Sequence, residues 1–257
     1  MKDKLNFQLI GSFDEECILF LHGIGTTSLL WYQQVEYFKE NYSVLLIDLP
    51  GHGENAHIPW QNMDQVVDLV ADTIPHNKAV HVVGLSLGGH VALDLVKNYP
   101  SKVTSTYISG VTTKPMGPKI LKVFMPMYLR QISKLQNNDK KLKQLFDDLG
   151  LPEDKLAESM SEYKKVSADT FRAIFDELYS FKLDYSYRKI RRPMMLVIGE
   201  EEGRSMQKNL DYAPLIILQA KSKVIKGARH QWPIQQPELF NREVTKWLRY
   251  LHRRSKK

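Results

Sequence analysis

The fold is decided by one short stretch, residues 79–96, which reads AVHVVGLSLGGHVALDLV. It opens with an apolar run typical of a buried strand and closes with the apolar spacing of a helix. The connection between the two is Gly84-Leu85-Ser86-Leu87-Gly88. A turn this tight strains the backbone of Ser86 and exposes its hydroxyl beside the free amide of Leu87. It predicts a nucleophile next to an anion-stabilising amide, and the alternative is a glycine-rich connection with an incidental serine.

Short apolar runs alternate with helical spacing on both sides of this stretch. Upstream, Trp31, Val35 and Phe38 recur at helical spacing between two such runs. Continuous apolar strands joined by helices are typical of a parallel sheet built from right-handed βαβ units. We therefore expect an α/β fold, with a mostly parallel sheet covered by helices on both faces. The predicted strands are Cys17–Leu21, Ser43–Ile47, Ala79–Val83, Thr104–Ser109, Met194–Ile198 and Ser222–Ile225.

The alternation stops between Lys114 and Asp184, where no strand pattern occurs. We expect a helical insertion there, between two strands of the sheet. Helices are predicted at 120–135, 140–149 and 170–181, and a last helix at 238–252. The chain then divides into a first core part (1–112), the insertion (113–186) and a second core part with a basic tail (187–257).

The net charge of +7 is concentrated at the C-terminus. Six lysines and arginines and no acidic residue occupy the last twelve positions, so the other residues together carry +1. Positive charge at the end of a last helix is favoured by the helix dipole. We expect a solvated tail and no nucleic-acid partner, with a weak anionic contact as the alternative.

The cysteine content and the apolar runs exclude several classes of protein. The single cysteine, Cys17, excludes an internal disulfide framework and a cysteine-rich zinc module. The first residues lack the apolar run of a signal peptide, and no stretch is long enough to span a membrane. We expect a cytoplasmic protein without stable membrane anchoring, and the oligomeric state stays open.

Four motifs, in this order along the chain, carry a family resemblance. His22-Gly23-Ile24-Gly25 follows the first buried strand, and Asp48-Leu49-Pro50-Gly51-His52-Gly53 follows the second. The serine turn at 84–88 comes next, and Gly227-Ala228-Arg229-His230 follows the last strand. Together they resemble the motifs of serine hydrolases in the α/β-hydrolase superfamily, outside the insertion. The resemblance implies an α/β-hydrolase fold in which the insertion forms a lid.

The resemblance also implies a catalytic triad. Ser86 is the nucleophile, and His230 is the general base that accepts its proton. The family usually places an aspartate after the strand that follows the insertion, and this chain has Glu202 at that position. A glutamate can serve in that role if a shifted turn accommodates its extra methylene. Glu200, Glu201 or the lack of an effective acid are the alternatives.

The resemblance further implies that the backbone amides of Ile24 and Leu87 stabilise the oxyanion. Such an enzyme needs no metal and no organic cofactor, and the chain lacks a P-loop, a dinucleotide glycine motif and an HExxH motif. We expect a serine hydrolase that cleaves the carboxylic ester of a small or medium-sized apolar molecule. The alternatives are a C–C, amide or lactone hydrolase with the same triad, and a slow-turnover ligand-sensing or signalling protein.

Three apolar residues are candidates for the substrate pocket. Met125 and Met127 lie in the insertion, where flexible methionines adapt to irregular apolar shapes. Trp232 lies two residues beyond His230, in position to rim the pocket. The alternative is that the two methionines pack the lid onto the core and that Trp232 packs on the final helix.

Overall fold

A seven-stranded sheet organises the chain in the computed structural model, which describes residues 3–115 and 118–255. The strand order is β1-β3-β2-β4-β5-β6-β7, with β1 antiparallel to β3 and the other neighbours parallel. This arrangement confirms the predicted mostly parallel sheet. The strands are β1 (Phe7–Ile10), β2 (Cys17–Leu21), β3 (Ser43–Ile47), β4 (Val80–Leu85), β5 (Val103–Ser109), β6 (Met194–Gly199) and β7 (Ala220–Ile225).

Strand β1 is the one described strand that the sequence did not predict. It is an edge strand, and Phe7 and Gln8 are exposed. By contrast, the inner strands β2, β3 and β4 are buried on both faces and therefore appear in the sequence as continuous apolar runs. A short edge strand with exposed side chains lacks that run.

The helices cover both faces of the sheet. Successive side chains of a strand point to opposite faces, and β2 shows the result. Leu19 packs in a cluster with residues from α2, α3 and α8, whereas Phe20 packs with residues from α1 and α10. The helices are α1 (Tyr32–Phe38), α2 (Met63–Thr73), α3 (Leu87–Asn98), α4 (Pro118–Gln136), α5 (Asp139–Asp148), α6 (Glu153–Lys165), α7 (Ala168–Ser180), α8 (Gly203–Ile216), α9 (Trp232–Gln235) and α10 (Pro237–Ser255). Short 3-10 turns span Ser28–Trp31, Gly53–Asn55, Pro100–Lys102, Tyr185–Lys189 and Glu200–Glu202.

Helices α4 to α7 follow one another between β5 and β6. Three of them lie where helices were predicted, and the described part of residues 114–184 contains no strand. Helix α6 was not predicted as a separate element, because Leu156 is its one fully buried residue and gives no apolar stripe. The division of the chain into core and lid stays a prediction.

The basic residues near the C-terminus belong in part to a helix. Helix α10 carries Arg253 and Arg254 in its last turn, where the helix dipole favours positive charge. Two turns earlier along the helix, Lys246 pairs with Glu243 at 2.8 Å. The last two lysines lie outside the described residues. None of the helices in the described ranges combines the length and the hydrophobicity that a bilayer span requires.

Candidate active site

Ser86 lies at the tip of a tight turn between β4 and α3. Its φ of 54° and ψ of −111° give it a positive φ that residues with side chains rarely adopt, and it is the one non-glycine residue with a positive φ in the described part of the chain. Holding a serine there costs on the order of 1–3 kcal/mol, so the surrounding contacts must impose it. Such strain is typical of turns that present a nucleophile.

Two glycines allow this turn to close. A Cβ atom on Gly84 would lie 2.4 Å from the carbonyl oxygen of Gly88. A Cβ atom on Gly88 would lie 2.2 Å from the carbonyl oxygen of Leu21 in β2. Both contacts are to backbone, which cannot move aside as a flexible side chain can. The spacing of glycines around Ser86 therefore follows from the close approach of α3 to β2 and to its own turn.

The carboxylate of Glu202 contacts the imidazole of His230. Glu202 Oε2 lies 2.6 Å from His230 Nδ1, and Glu202 Oε1 accepts the backbone N–H of Gly199 at 2.8 Å. The Glu202 side chain is 5% exposed, whereas that of His230 is 38% exposed. An ionised carboxylate only accepts hydrogen bonds, so the ring proton lies on Nδ1 and Nε2 keeps a free lone pair. This is the tautomer that a general base requires.

The other two glutamates of the same turn point elsewhere. Glu201 Oε2 pairs with Arg229 Nε at 2.7 Å on the surface. Glu200 Oε2 accepts the backbone N–H of Gly227 at 3.0 Å. Glu202 is thus the member of the glutamate run that reaches the imidazole, although its catalytic role stays a prediction.

Gly110, at the end of β5, packs directly against this pair. Its φ is +71°, and a Cβ atom there would lie 2.5 Å from His230 Cε1 and 2.7 Å from Nδ1. The same atom would lie 3.5 Å from Glu202 Oε2. Sequence reasoning missed Gly110, because a glycine after a strand gives no sign of which side chain will lie on it.

Two backbone N–H groups near Ser86 have no acceptor among the described residues. They belong to Leu87, the first residue of α3, and to Ile24 in the loop after β2. The next residue in that loop, Gly25, donates its N–H to His52 Nε2 at 3.1 Å. The loop that carries the amide of Ile24 is therefore held by a buried imidazole.

His22 and His52 shape the backbone. His22 Nε2 accepts the N–H of Leu49 at 2.8 Å, and His22 Nδ1 lies 2.8 Å from the carbonyl oxygen of Gly23. Burial lowers the pKa of His52 to about 3, so its ring is neutral. It donates from Nδ1 to the carbonyl oxygen of Pro50 at 3.1 Å. Neither histidine lines the cleft that contains Ser86.

Ser86, His230 and Glu202 line one cleft of about 390 Å³. Ser86 and His230 face this cleft without a hydrogen bond between their side chains. The rest of the lining is mainly apolar and comes from the loop after β2, from α3, from the segment after β5, from α7 and from α8. It consists of Ile24, His90, Gly110, Thr112, Phe175, Leu178, Tyr179 and Met206.

The predicted pocket residues lie away from this cleft. Met125 is buried and Met127 is 53% exposed, and neither contributes to the lining. Trp232 is fully buried, donates from Nε1 to Ser109 Oγ at 2.8 Å, and packs on Phe240 of α10. The prediction of Trp232 as a pocket residue is therefore wrong, because the chain turns after His230 and carries the indole under the sheet. Helix α7 supplies the aromatic wall instead.

Among the described residues, no group of three or more histidine, cysteine, aspartate or glutamate side chains is arranged to hold a metal ion.

Comparison with known proteins adds a family and several relatives. A family model for the alpha/beta hydrolases matches residues 18–243. An AB hydrolase superfamily protein of Gibberella zeae is 26% identical over 91% of this chain and 80% of its own length. A pimeloyl-[acyl-carrier protein] methyl ester esterase of Vibrio campbellii is 35% identical, but the match covers 52% of this chain and 54% of the esterase.

Solved structures of esterases have the same fold at low sequence identity. An esterase from Thermogutta terrifontis superimposes with a TM-score of 0.72 at 20% identity, over 96% of this chain and 94% of that one. A structure from work on carboxylesterases of Nitrososphaera gargenis superimposes with a TM-score of 0.75 at 17% identity, over 96% of this chain and 95% of that one. At such low identity, these superpositions establish a shared fold and nothing more.

Proposed function

This chain belongs to the alpha/beta hydrolase family, and from that membership we propose that it is a serine hydrolase acting on a neutral, apolar carboxylic ester. The observation that carries the proposal is the contact of 2.6 Å between Glu202 and His230, in the cleft that also contains Ser86. A buried carboxylate that orients an imidazole beside a strained serine is the arrangement that acyl transfer requires.

The reaction proceeds in two halves. In the first, His230 Nε2 takes the proton of the Ser86 hydroxyl while Oγ attacks the ester carbonyl carbon. The tetrahedral intermediate collapses, the alcohol leaves with the proton from His230, and Ser86 keeps the acyl group. In the second half, His230 takes a proton from water, the hydroxide attacks the acyl carbon, and the acid leaves as Ser86 regains its proton. Glu202 keeps Nδ1 protonated and stabilises the imidazolium in both halves.

The oxyanion of each tetrahedral intermediate is stabilised by the amides of Ile24 and Leu87. Both N–H groups lack an acceptor among the described residues, and Leu87 lies at a helix N-terminus, where the dipole favours negative charge. The loss of one such donor typically lowers turnover by roughly 10²–10³-fold. His52 contributes indirectly, because it accepts the N–H of Gly25 and so holds the loop that carries the amide of Ile24.

The lining of the cleft supports a neutral substrate. Ile24, Phe175, Leu178, Tyr179 and Met206 present apolar surface, and no lysine or arginine is among the described lining residues. An anionic acyl group would lose hydration there without gaining a cationic partner. The volume of about 390 Å³ suits a substrate of small or medium size. The esterase names of the Vibrio and Thermogutta proteins support an ester as the bond that is cleaved.

Covalent labelling and ester hydrolysis together test the proposal. Wild-type protein is treated with a fluorophosphonate probe and assayed with p-nitrophenyl esters of increasing acyl length. The matched variants are Ser86→Ala and Ser222→Ala, because Ser222 lies on β7 outside the cleft. We expect labelling and a burst of p-nitrophenol in wild type and Ser222→Ala, and neither in Ser86→Ala. Equal labelling of Ser86→Ala, or none in wild type, would overturn the proposal.

A second panel separates the alternatives that share the triad. Amide, lactone and C–C substrates with the same acyl group are compared with the ester at equal concentration. Faster turnover of one of these substrates than of the ester would mean that the enzyme cleaves that type of bond instead. A burst followed by negligible steady-state turnover with every substrate would favour a sensing role.

A further inference from the structure

We propose that His90 is a positioning residue. It holds the nucleophile turn at Ser86 and residues 110–112, which pack against the imidazole of His230, in a fixed position relative to each other. The inference rests on the proposed function, since it assigns His90 a role in the same acyl transfer. His90 lies one helical turn after Ser86 on α3, and it lines the catalytic cleft.

The ring of His90 is held on every side. Its side chain is 3% exposed, and Nδ1 lies 3.1 Å from the carbonyl oxygen of Ser86. Nε2 lies 3.2 Å from the carbonyl oxygen of Thr112 and 3.3 Å from Thr112 Oγ1. Phe181, just past the end of α7, packs edge-on against the ring at 4.7 Å. One side chain therefore joins the nucleophile turn, the end of β5 and the insertion.

Both ring nitrogens of His90 face hydrogen-bond partners. Burial lowers the pKa of His90, so the ring is neutral and carries one proton. Carbonyl oxygens only accept, so this proton is donated either from Nδ1 to the carbonyl of Ser86 or from Nε2 to the carbonyl of Thr112. In the first case Nε2 also accepts from the hydroxyl of Thr112. In both cases the two nitrogens face these partners, which distinguishes His90 from the general base.

The segment that His90 holds is the one that supports His230. Gly110 lies two residues before Thr112 and packs so closely on the imidazole that no Cβ atom fits between them. The far side of this segment is fixed by Asn209 of α8, whose Oδ1 accepts the N–H of Thr113 at 2.8 Å. His90 provides the matching link on the side of the nucleophile. A shift of residues 110–112 is passed directly to the imidazole, and with it to the distance between base and serine.

The experiment replaces His90 by leucine and by glutamine and compares each with the same change at His81. His81 is the matched control because it is equally buried on β4, with Ser105 Oγ at 2.8 Å and Glu16 Oε1 at 2.7 Å, and it lies outside the cleft. The readouts are kcat and KM per labelled active site, the rate of fluorophosphonate labelling, and the pH profile of kcat/KM.

We expect His90→Leu to lower kcat and the labelling rate by roughly tenfold or more, because a misplacement of about 1 Å between base and nucleophile lowers turnover by roughly 10²-fold. KM should stay within about twofold, since the apolar lining residues of the cleft other than His90 are unchanged. His90→Gln, which keeps one N–H donor, should lose less. The midpoint of the pH profile should not move, and the His81 variants should match wild type in kcat per labelled site.

Several results would overturn the inference. These are an unchanged kcat in both His90 variants, a raised KM at constant kcat, or equal losses in the His81 variants. A pH profile whose acid limb disappears in His90→Leu would show that His90 itself titrates in catalysis. Should His90→Leu not fold, Thr112→Val removes the hydroxyl contact with Nε2 alone and is expected to lower kcat by roughly threefold. Failure of wild type to label would instead contradict the proposed function.

Discussion

Gly110→Ala is expected to separate catalysis from stability in this protein. The new Cβ atom would lie 2.5 Å from His230 Cε1, and ordinary contacts begin at 3.4 Å, so the ring must retreat by about 0.9 Å. A displacement of about 1 Å in a catalytic group lowers turnover by roughly 10²-fold. The backbone adds a second effect, because alanine at a φ of +71° costs about 1–2 kcal/mol relative to glycine.

Gly150→Ala supplies the matched control. Gly150 has a φ of +79° in the connection between α5 and α6, and a Cβ atom there would meet nothing within 4 Å. The backbone cost common to both variants is therefore about 1–2 kcal/mol, which corresponds to a thermal midpoint lower by roughly 2–8 °C. Only Gly110→Ala has the contact with the imidazole.

The assay is hydrolysis of a p-nitrophenyl ester, with kcat expressed per folded molecule and the thermal midpoint followed by circular dichroism. We expect a loss of roughly 10²-fold in kcat for Gly110→Ala and a loss of less than about twofold for Gly150→Ala. A kcat of Gly110→Ala equal to that of Gly150→Ala would refute the reasoning, since it would mean that His230 does not need its present position.

Three further outcomes are expected. Glu202→Gln should lower kcat by at least about 100-fold. The same change at Glu200 or Glu201 should leave kcat within about twofold. Similar losses in all three variants would mean that another residue is the acid. A hydrogen bond with His81 lowers the pKa of Glu16 to about 2 from 4.5, so its ionised form stabilises the fold above pH 4.5 and that contribution is lost as the pH falls toward 2. The difference in urea unfolding free energy between wild type and Glu16→Gln should therefore shrink over that range, and a constant difference would contradict it. Phe175→Ala should shift the preferred acyl length, whereas Met127→Ala should not, as measured with an ester series; the reverse pattern would relocate the pocket.

Much of the fold was predictable because its signals are local. The central strands are buried on both faces and read as apolar runs, and the glycines around Ser86 mark a turn that no larger residue allows. Strand β1 and helix α6 lacked such signals, since the side chains of each are mostly exposed or only partly buried. Their places depend on packing against distant elements, which a local pattern does not record.

The site was predictable only in outline. The glutamate run left three candidates for the contact with His230, and the choice depended on the direction in which each side chain leaves one short turn. Gly110 and His90 gave no signal of their importance, because both act through residues that are far away in the sequence.

The amino-acid sequence by itself determined the parallel strands of the sheet, the strained turn at Ser86 and the order of the motifs, because spacing and steric limits within a few residues dictate them. Only the tertiary structure decided what surrounds the serine. It brought Glu202 against His230, placed Phe175 and Tyr179 in the cleft, and buried Trp232 beneath the sheet. These placements depend on the direction of each turn and the rotation of each helix, which are set by contacts between segments many residues apart.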